Sequence, residues 1–523
     1  MMKFVVVLLI VCAGAGITFA EPTARTYSFA AFEAYFHVSG VIDSLAKHFD
    51  LVYAPETIRF WNPKFRDSAQ VEWRRDKPPL LLMYKDAMTL KGPRYIVDPE
   101  TSDTIDIIPA DSTRGGGHTV GGFWHFDSIL KQNFPSDTLF MLATTVGSHQ
   151  TSHYDTIVIG NDTIHRVHAG SNPSWQWRWA MDYGRDDWQT FYGCSTKVQC
   201  LRNSHDLSYD STYFDGVFID NLLMWRGHYG MYPLQYPDES SFRAAVHSFA
   251  QTVTDEYHNP DSPANHPCEV LALANLNYAF STPNYDSIWK MYLNCLDGGQ
   301  EETYFAGDTL DFDTWHKFIH EIAIAESLGK MCIVRKAVKC NALGQPPFNV
   351  GPYNDTSMIF GFASYLMAYD SVTYFGFSSD SGGREYAHIY WAPILDIDLG
   401  KPMETYKINI SAGDTFVYRH YEEGLVFANP RKNSPSTAGF PGDTLYELGP
   451  LCDIRDTIEG QFTLNYHNGK ICLYPPNYFH GSGFEPDDRL CWEDYCLGAQ
   501  GITNHGAKRV LGVPPNGVTP PAG

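Results

Sequence analysis

Two segments of the chain carry one pattern, Asp-Gly-x-x-x-acid. Residues 214–221 read Phe-Asp-Gly-Val-Phe-Ile-Asp-Asn, and residues 296–303 read Leu-Asp-Gly-Gly-Gln-Glu-Glu-Thr. The pattern runs from Asp215 to Asp220 and from Asp297 to Glu302. The first copy passes through an apolar, strand-like stretch and ends on a carboxylate. Two carboxyls at the same end of two strands of one sheet suit the cleavage of a glycosidic bond. One protonates the leaving oxygen, and the other attacks the sugar or activates water. Side chains alternate along a strand, so Asp220 shares a face with Phe218, while Asp215 lies on the other with Val217 and Ile219. Asp220 is therefore the candidate for chemistry, and Asp215 serves the start of the strand. The same spacing selects Glu302 over Glu301 as the second catalytic candidate, with Glu301 kept as a substrate contact. Gly298-Gly299 lets this second strand approach a ligand closely.

Further polar residues fall at the ends of expected strands. Lys85, Asp182 and Asn275 are candidate substrate-binding residues, as is Asn221 directly after Asp220. Each can bind a sugar hydroxyl through a directed hydrogen bond, and each can equally cap a helix. Trp177 and Trp179 alternate beside Asp182, the arrangement of an aromatic platform whose faces cover the apolar C–H surface of a pyranose ring. Trp225 and Tyr229 fall in an expected loop.

The elements that must position these residues form an α/β pattern. Strand-like runs are expected at Ser28–Phe36, Asp50–Ala54, Leu80–Tyr84, Trp177–Met181, Asp215–Ile219, Glu269–Leu276, Asp297–Glu302 and Cys332–Val338. Helical patterns follow most of them, including Ser240–Glu256, Tyr285–Leu296, Thr314–Leu328 and a final Ser357–Tyr369. Eight βα units predict a (β/α)8 TIM barrel, here over residues 21–385. A loop and hairpin insertion at about 95–170 includes Tyr154–Gly160 turning at Asn161-Asp162 into Thr163–His168. From 386 to 506 short runs separated by Gly, Asp and Pro predict a small C-terminal all-β domain, with Asn468-Gly469 as a hairpin turn. Residues 507–523 read as a Pro/Gly-rich tail.

Composition narrows the function classes. Acidic residues outnumber Lys plus Arg by 60 to 38, giving a formal net charge of −22. No basic cluster is present, which argues against nucleic acid and anionic membranes as partners. Residues 1–20 read as a secretory signal peptide: Lys3, the apolar run Phe4–Cys12, then small residues up to Ala20. The run is too short to span a bilayer, no later segment replaces it, and the protein is expected outside the cell or in a periplasm. Of 11 cysteines, ten remain after the signal, an even number that suggests disulfides. Cys194/Cys200, Cys332/Cys340, Cys452/Cys472, Cys491/Cys496 and Cys268/Cys295 are the expected pairs. No metal-ligand spacing, phosphate loop or serine nucleophile elbow is present, so no metal and no organic cofactor is implied.

The segment Phe214–Asn221 resembles the "DGVFLDN" strand of the endo-α-1,4-polygalactosaminidase family and of related hypothetical glycosyl hydrolases. Asp297 to Glu302 is similar to the Asp-Gly-x-x-x-Glu strand of those barrels, and Trp179-Ala180-Met181-Asp182 fits the same pattern. Arg419 and Gly424-Leu425-Val426-Phe427-Ala428-Asn429-Pro430 resemble the C-terminal "R-x-x-x-GLVLVNP" segment of the hypothetical hydrolases. The resemblance covers about residues 28–430 through scattered motifs. It implies a (β/α)8 glycosidase acting on a poly- or oligosaccharide, with Asp220 and Glu302 as the catalytic pair. The insertion at 95–170 and the run Gly298–Glu301 depart from the pattern of a small polygalactosaminidase, which leaves the substrate sugar open. The competing reading of the same sequence is a non-catalytic polysaccharide-binding or cell-surface protein on a barrel scaffold.

Overall fold

The computed structural model describes residues 25–29, 41–54, 65, 79–87, 89–91, 94–97, 104–108, 141–143, 156–159, 162–166, 178–201, 214–223, 225–226, 232–260, 269–276, 284–301, 311–338, 355–379, 391–411, 414–431, 434–449, 454–465, 467–474, 492–493 and 508–509. Eight strands lie side by side in chain order: β1 (Tyr27–Phe29), β2 (Leu51–Ala54), β3 (Leu80–Asp86), β4 (Gly216–Asp220), β5 (Leu271–Asn275), β6 (Gly298–Glu301), β7 (Met331–Val338) and β8 (Thr373–Ser379). Every neighbouring pair is parallel. The sheet closes on itself, because Thr26 bridges Phe375 in parallel and the Phe375 N–H donates to the Arg25 carbonyl at 2.9 Å. The TIM barrel expected from the βα pattern is therefore present.

Its strands are not all the expected ones. Of Trp177–Met181, read as the fourth barrel strand, the described residues lie outside the barrel. Arg178–Ala180 pairs antiparallel with Thr89–Lys91 in a separate two-stranded sheet. The eighth place is taken by Thr373–Ser379, beyond the helix read as the last element. Glycine and serine dilute the apolar signal of that strand. Its inward positions are Tyr374, Gly376 and Ser378, and of its outward positions only Phe375 and Phe377 are apolar. In the insertion, Thr156–Ile159 pairs antiparallel with Asp162–Arg166, as the hairpin pattern predicts.

Alternation sorts the side chains into two layers. Inside, Leu51, Tyr53, Leu82, Phe218, Leu273, Ile333 and Tyr374 fill the barrel. Outside, Val217, Ile219, Ala272, Ala274 and Val334 pack under helices α2 (Asp186–Leu201), α3 (Glu239–His258), α4 (Tyr285–Cys295), α5 (Phe312–Leu328) and α6 (Asp355–Leu366), α1 being Val41–His48. Helix ends carry ordinary stop signals. Asp238 and Ser241 form a reciprocal cap at the start of α3, and Gly329 ends α5 at φ +64°.

At the base, acidic residues hook alternate strands to their predecessors. Asp50 Oδ2 accepts the Thr26 N–H at 2.7 Å, Asp215 Oδ2 that of Leu81 at 2.7 Å, and Asp297 Oδ2 that of Ala272 at 2.8 Å. Glu326 of α5 does similar work for β8, accepting the Val372 and Thr373 N–H groups. The first Asp of each repeated motif thus ties strands at the base. The glycine after it has a steric reason. A Cβ on Gly216 would lie 2.6 Å from the Leu271 carbonyl, and one on Gly298 would lie 2.5 Å from that of Met331.

Strands β9 (Lys407–Ser411), β10 (Asp414–His420), β11 (Gly424–Asn429), β12 (Ser436–Leu448), β13 (Ile454–Leu464) and β14 (Asn468–Leu473) form an antiparallel sheet in the order β9-β10-β11-β14-β12-β13. It docks on the end of α6. The Arg419 guanidinium donates to the Leu366 and Tyr369 carbonyls at 3.1 and 2.7 Å and pairs with Asp370. This places a cation on the carbonyl end of a helix, where the dipole favours it. Asn468-Gly469 is not the expected hairpin turn. Both residues lie within β14, paired to Asn429 and Ala428, and a Cβ on Gly469 would meet that of Ala363 at 2.7 Å. Glycine is needed there so that the sheet can approach α6.

The Cys194/Cys200 disulfide is not formed. Both lie on α2, and six residues of helix separate Cα atoms by about 9 Å, beyond the reach of an S–S bond. The Cys200 thiol instead donates to the Phe214 carbonyl at 3.5 Å. The assumed partners of Cys295, Cys332 and Cys472, and the pair Cys491/Cys496, lie outside the described residues.

Two outcomes follow for stability. Gly298→Ala should lower unfolding free energy in urea by about 1–3 kcal/mol, because β6 and β7 must separate to admit the methyl group; an unchanged midpoint would contradict the close approach. His258 lies 2.9 Å from Asp297, and that hydrogen bond raises its pKa above the usual histidine value against the effect of burial. A raised folded-state pKa stabilises fully below the unfolded value of about 6.5 and loses that contribution as pH rises through the folded value. His258→Gln should remove this slope from thermal midpoints measured across the neutral range. The effect should be small, because the ring is 38% exposed.

Candidate active site

The carboxyl-terminal ends of all eight strands of a parallel barrel open on one mouth, and polar side chains replace the apolar filling there. Asp220 closes β4 on the inner face, in step with Phe218 below it. Its carboxylate is held from three directions. The Tyr84 hydroxyl of β3 donates to Oδ2, the Asn275 amide of β5 donates to Oδ1 at 2.9 Å, and the Asn221 N–H donates to Oδ1 at 2.8 Å. Asn221 Nδ2 adds a longer contact of 3.4 Å to Oδ2. Such donors fix the orientation of a carboxylate and offset its charge in a partly enclosed site.

The floor beneath is aromatic. The Tyr53 and Phe218 rings stack at 4.2 Å with 8° between planes, and Tyr84 lies 6.0 Å from Phe218. The Tyr53 hydroxyl reaches Gln300 Oε1 at 3.5 Å. Gln300 and Asn275 are buried and in register on neighbouring strands, so they line the same inner wall as Asp220. Asp86 pairs with Asp220 across β3 and β4 and shares the face of Leu82 and Tyr84. Ser378, on the inner face of β8, is buried, and its hydroxyl has no hydrogen-bond partner among the described residues.

Asn221 follows Asp220 with φ +59°, in the left-handed region that a non-glycine residue enters at a cost. The Tyr183 hydroxyl donates to its carbonyl and holds it there. Asparagine enters this region more readily than most side chains, which suits it to the sharp exit from β4.

The remaining sequence candidates fall elsewhere. Lys85 shares the outer face of β3 with Leu81 and Met83 and is fully buried toward the helices. Glu301 pairs with outward-facing Val334, opposite to Gln300, and is likewise buried behind the barrel wall. Asp182 is a loop staple: Tyr236 donates its hydroxyl to Oδ1, and the Gly184 N–H donates at 3.1 Å. Burial raises the pKa of Asp182, and those two donors oppose the rise. Trp179 pairs through its backbone with Leu90, while Trp177 and Glu302 lie outside the described residues. The structure thus brings Asp220, Asn221 and Asn275 together, and sets Lys85, Glu301 and Asp182 apart from the lumen.

Sequence reasoning missed Tyr84, Gln300, Tyr53 and Ser378. For the first two the signal was available, because alternation through Leu80–Asp86 and Gly298–Glu301 puts Tyr84 and Gln300 on the inner face. Ser378 was hidden by the misplaced eighth strand.

Among solved structures, the chain is similar to an α-amylase from Lactobacillus plantarum (9% identity, TM-score 0.37, covering 87% of this chain and 99% of that one). A type III pullulan hydrolase from Thermococcus kodakarensis matches at 10% identity and TM-score 0.36, covering 87% and 78%. A cycloisomaltooligosaccharide glucanotransferase from Paenibacillus sp. matches at 8% identity and TM-score 0.33, covering 87% of this chain and 56% of that chain. No curated protein matches the sequence. Residues 163–425, half of the chain and including β4 to β8, match a described family of glycosyl hydrolases. By that match the chain belongs to hypothetical glycosyl hydrolase family 15.

Proposed function

We propose that the protein is a secreted glycoside hydrolase that cleaves a poly- or oligosaccharide at the barrel mouth with Asp220 and Glu302 as its two carboxyls. Family membership supports glycoside hydrolysis as the reaction class. The observation that carries the site assignment is the inward carboxylate of Asp220, held by Tyr84, Asn275 and Asn221 at the carboxyl end of β4. Export rests on Lys3 and the apolar run Phe4–Cys12.

Asp220 stays ionised in this reading and acts on the anomeric carbon as nucleophile, or on a water as base. Positive charge develops on the sugar in the transition state, so a fixed carboxylate there interacts more strongly with the transition state than with the bound substrate. Glu302 is assigned the general acid. The assignment of Glu302 rests on the sequence, where it stands five residues after Asp297 as Asp220 stands five after Asp215. Glu302 is two βα units along the barrel from Asp220, which suits two carboxyls flanking one bond. Asn275, Gln300 and Ser378 offer amide and hydroxyl groups for the sugar hydroxyls.

Release of reducing ends from a panel of polysaccharides tests this reading. Asp220→Asn and Glu302→Gln should each lower kcat by about 10²–10⁴-fold with an unchanged circular dichroism spectrum. Full turnover in both variants would remove the assignment. Tyr84→Phe should lower kcat by about tenfold or more, because a hydrogen bond to a charged group is lost. A rise in KM alone would instead make Tyr84 a ground-state contact.

A further inference from the structure

We infer that Trp225 and Tyr232, on the connection between β4 and α3, form an aromatic subsite that stacks a pyranose ring of the glycan beside the Asp220 mouth. The inference rests on the reading of the chain as a glycan-acting protein. Asp220 ends β4 at the mouth, and Trp225 follows five residues later in the chain.

Consecutive residues of one short segment grip the loop at both ends. The Tyr183 hydroxyl holds the Asn221 carbonyl at its start, and Asp182 accepts the Tyr236 hydroxyl near its end. The Gly184 N–H also donates to Tyr236 Oη at 2.8 Å. A side chain on Gly184 would destroy this grip, since its Cβ would lie 2.7 Å from Tyr236 Oη. The staple is buried, and burial together with Asp182 pushes the Tyr236 phenol well above its usual range, so it remains a donor. The role that Trp177, Trp179 and Asp182 were expected to share is divided accordingly: Asp182 positions a loop, and other aromatics face solvent.

Between its two anchored ends the loop exposes Trp225, Tyr232 and Leu234, at 38%, 53% and 46%. These are three of the six large apolar side chains exposed among the described residues, and all three belong to the one connection that follows Asp220. Single exposed apolar side chains need no explanation, but a group beside a site does. The Tyr232 ring is backed. The Arg226 guanidinium lies over it at 5.1 Å from the centroid, and Arg226 is itself fixed by its N–H to Glu239 at 3.0 Å and by Nη1 to the Pro237 carbonyl at 2.7 Å. A ring with a fixed cation against one face, still half exposed, offers its remaining face at little cost in ordering. The flat apolar C–H face of a sugar ring fits that surface, and its hydroxyls remain in water at the rim.

The test is affinity electrophoresis of the full chain through gels containing dextran, soluble starch, glucomannan or polygalacturonate. Asp220→Asn serves as the common background, so that binding is read without turnover. That background should be retarded by at least one of these glycans. Trp225→Ala or Tyr232→Ala added to it should weaken the retardation about fivefold to tenfold, with native circular dichroism spectra. Tyr232→Phe should preserve it, because the ring face and not the hydroxyl makes the contact. Absence of retardation by every glycan, or equal retardation with both alanine substitutions present, overturns the subsite. Retardation that depends on Trp225 and Tyr232 stands whether or not the wild-type chain hydrolyses the glycan, so the two readings fail separately.

Discussion

A parallel barrel exists only while eight strands hold register around a closed ring, and in this chain carboxylates at the base enforce that register. Asp50, Asp215 and Asp297 each reach back to a backbone N–H of the preceding strand, and Glu326 performs the same service for β8. Each such bond joins a charged acceptor to a donor at the sheet's base, where a slip by one residue would turn every side chain to the wrong layer. The glycines beside Asp215 and Asp297 let the strands close up. Everything at the mouth inherits its placement from this base. Asp220 faces inward because Gly216 and Phe218 do.

This arrangement explains the repeated motif. Its two acids have different tasks, separated by the length of one strand. The first holds the scaffold at the amino-terminal face. In the first copy, the last stands at the carboxyl-terminal face among Tyr84, Asn275 and Asn221. Barrels divide stability and chemistry between their two faces in this way. The C-terminal sheet belongs to the same plan. Arg419 and Tyr421 both address the carbonyl end of α6, the helix between β7 and β8, so the sheet braces the barrel where it closes.

Much of this was legible in the sequence, for identifiable reasons. The inward setting of Asp220 follows from period-two alternation through an unbroken apolar strand, and helices α3 to α6 follow from the 3.6-residue period. Eight barrel strands are both expected and present, but one of the eight differs. The aromatic run at Trp177–Met181 has strand propensity, but its Arg178–Ala180 part pairs with Thr89–Lys91, and only tertiary contacts decide which sheet a strand joins. Thr373–Ser379 was missed because its inward face is Tyr-Gly-Ser, a composition set by the mouth and not by the core. Lys85 and Glu301 are charged residues near strand ends. Alternation, applied as strictly to them as to Asp220, puts both on the helix side. Asp182 was recognised as notable but for the wrong reason, since its partner Tyr236 is 54 residues away and no local pattern reports it.

The proposed mechanism requires the carboxylate of Asp220 to meet the bond that is cleaved. A crystal structure of Asp220→Asn with an oligosaccharide from a polysaccharide that the wild-type chain degrades tests this most directly. A sugar should lie across the mouth, with its anomeric carbon or glycosidic oxygen within about 3–3.5 Å of the residue 220 side chain. A glycan bound away from the lumen, with Tyr84 and Asn275 untouched, would contradict it.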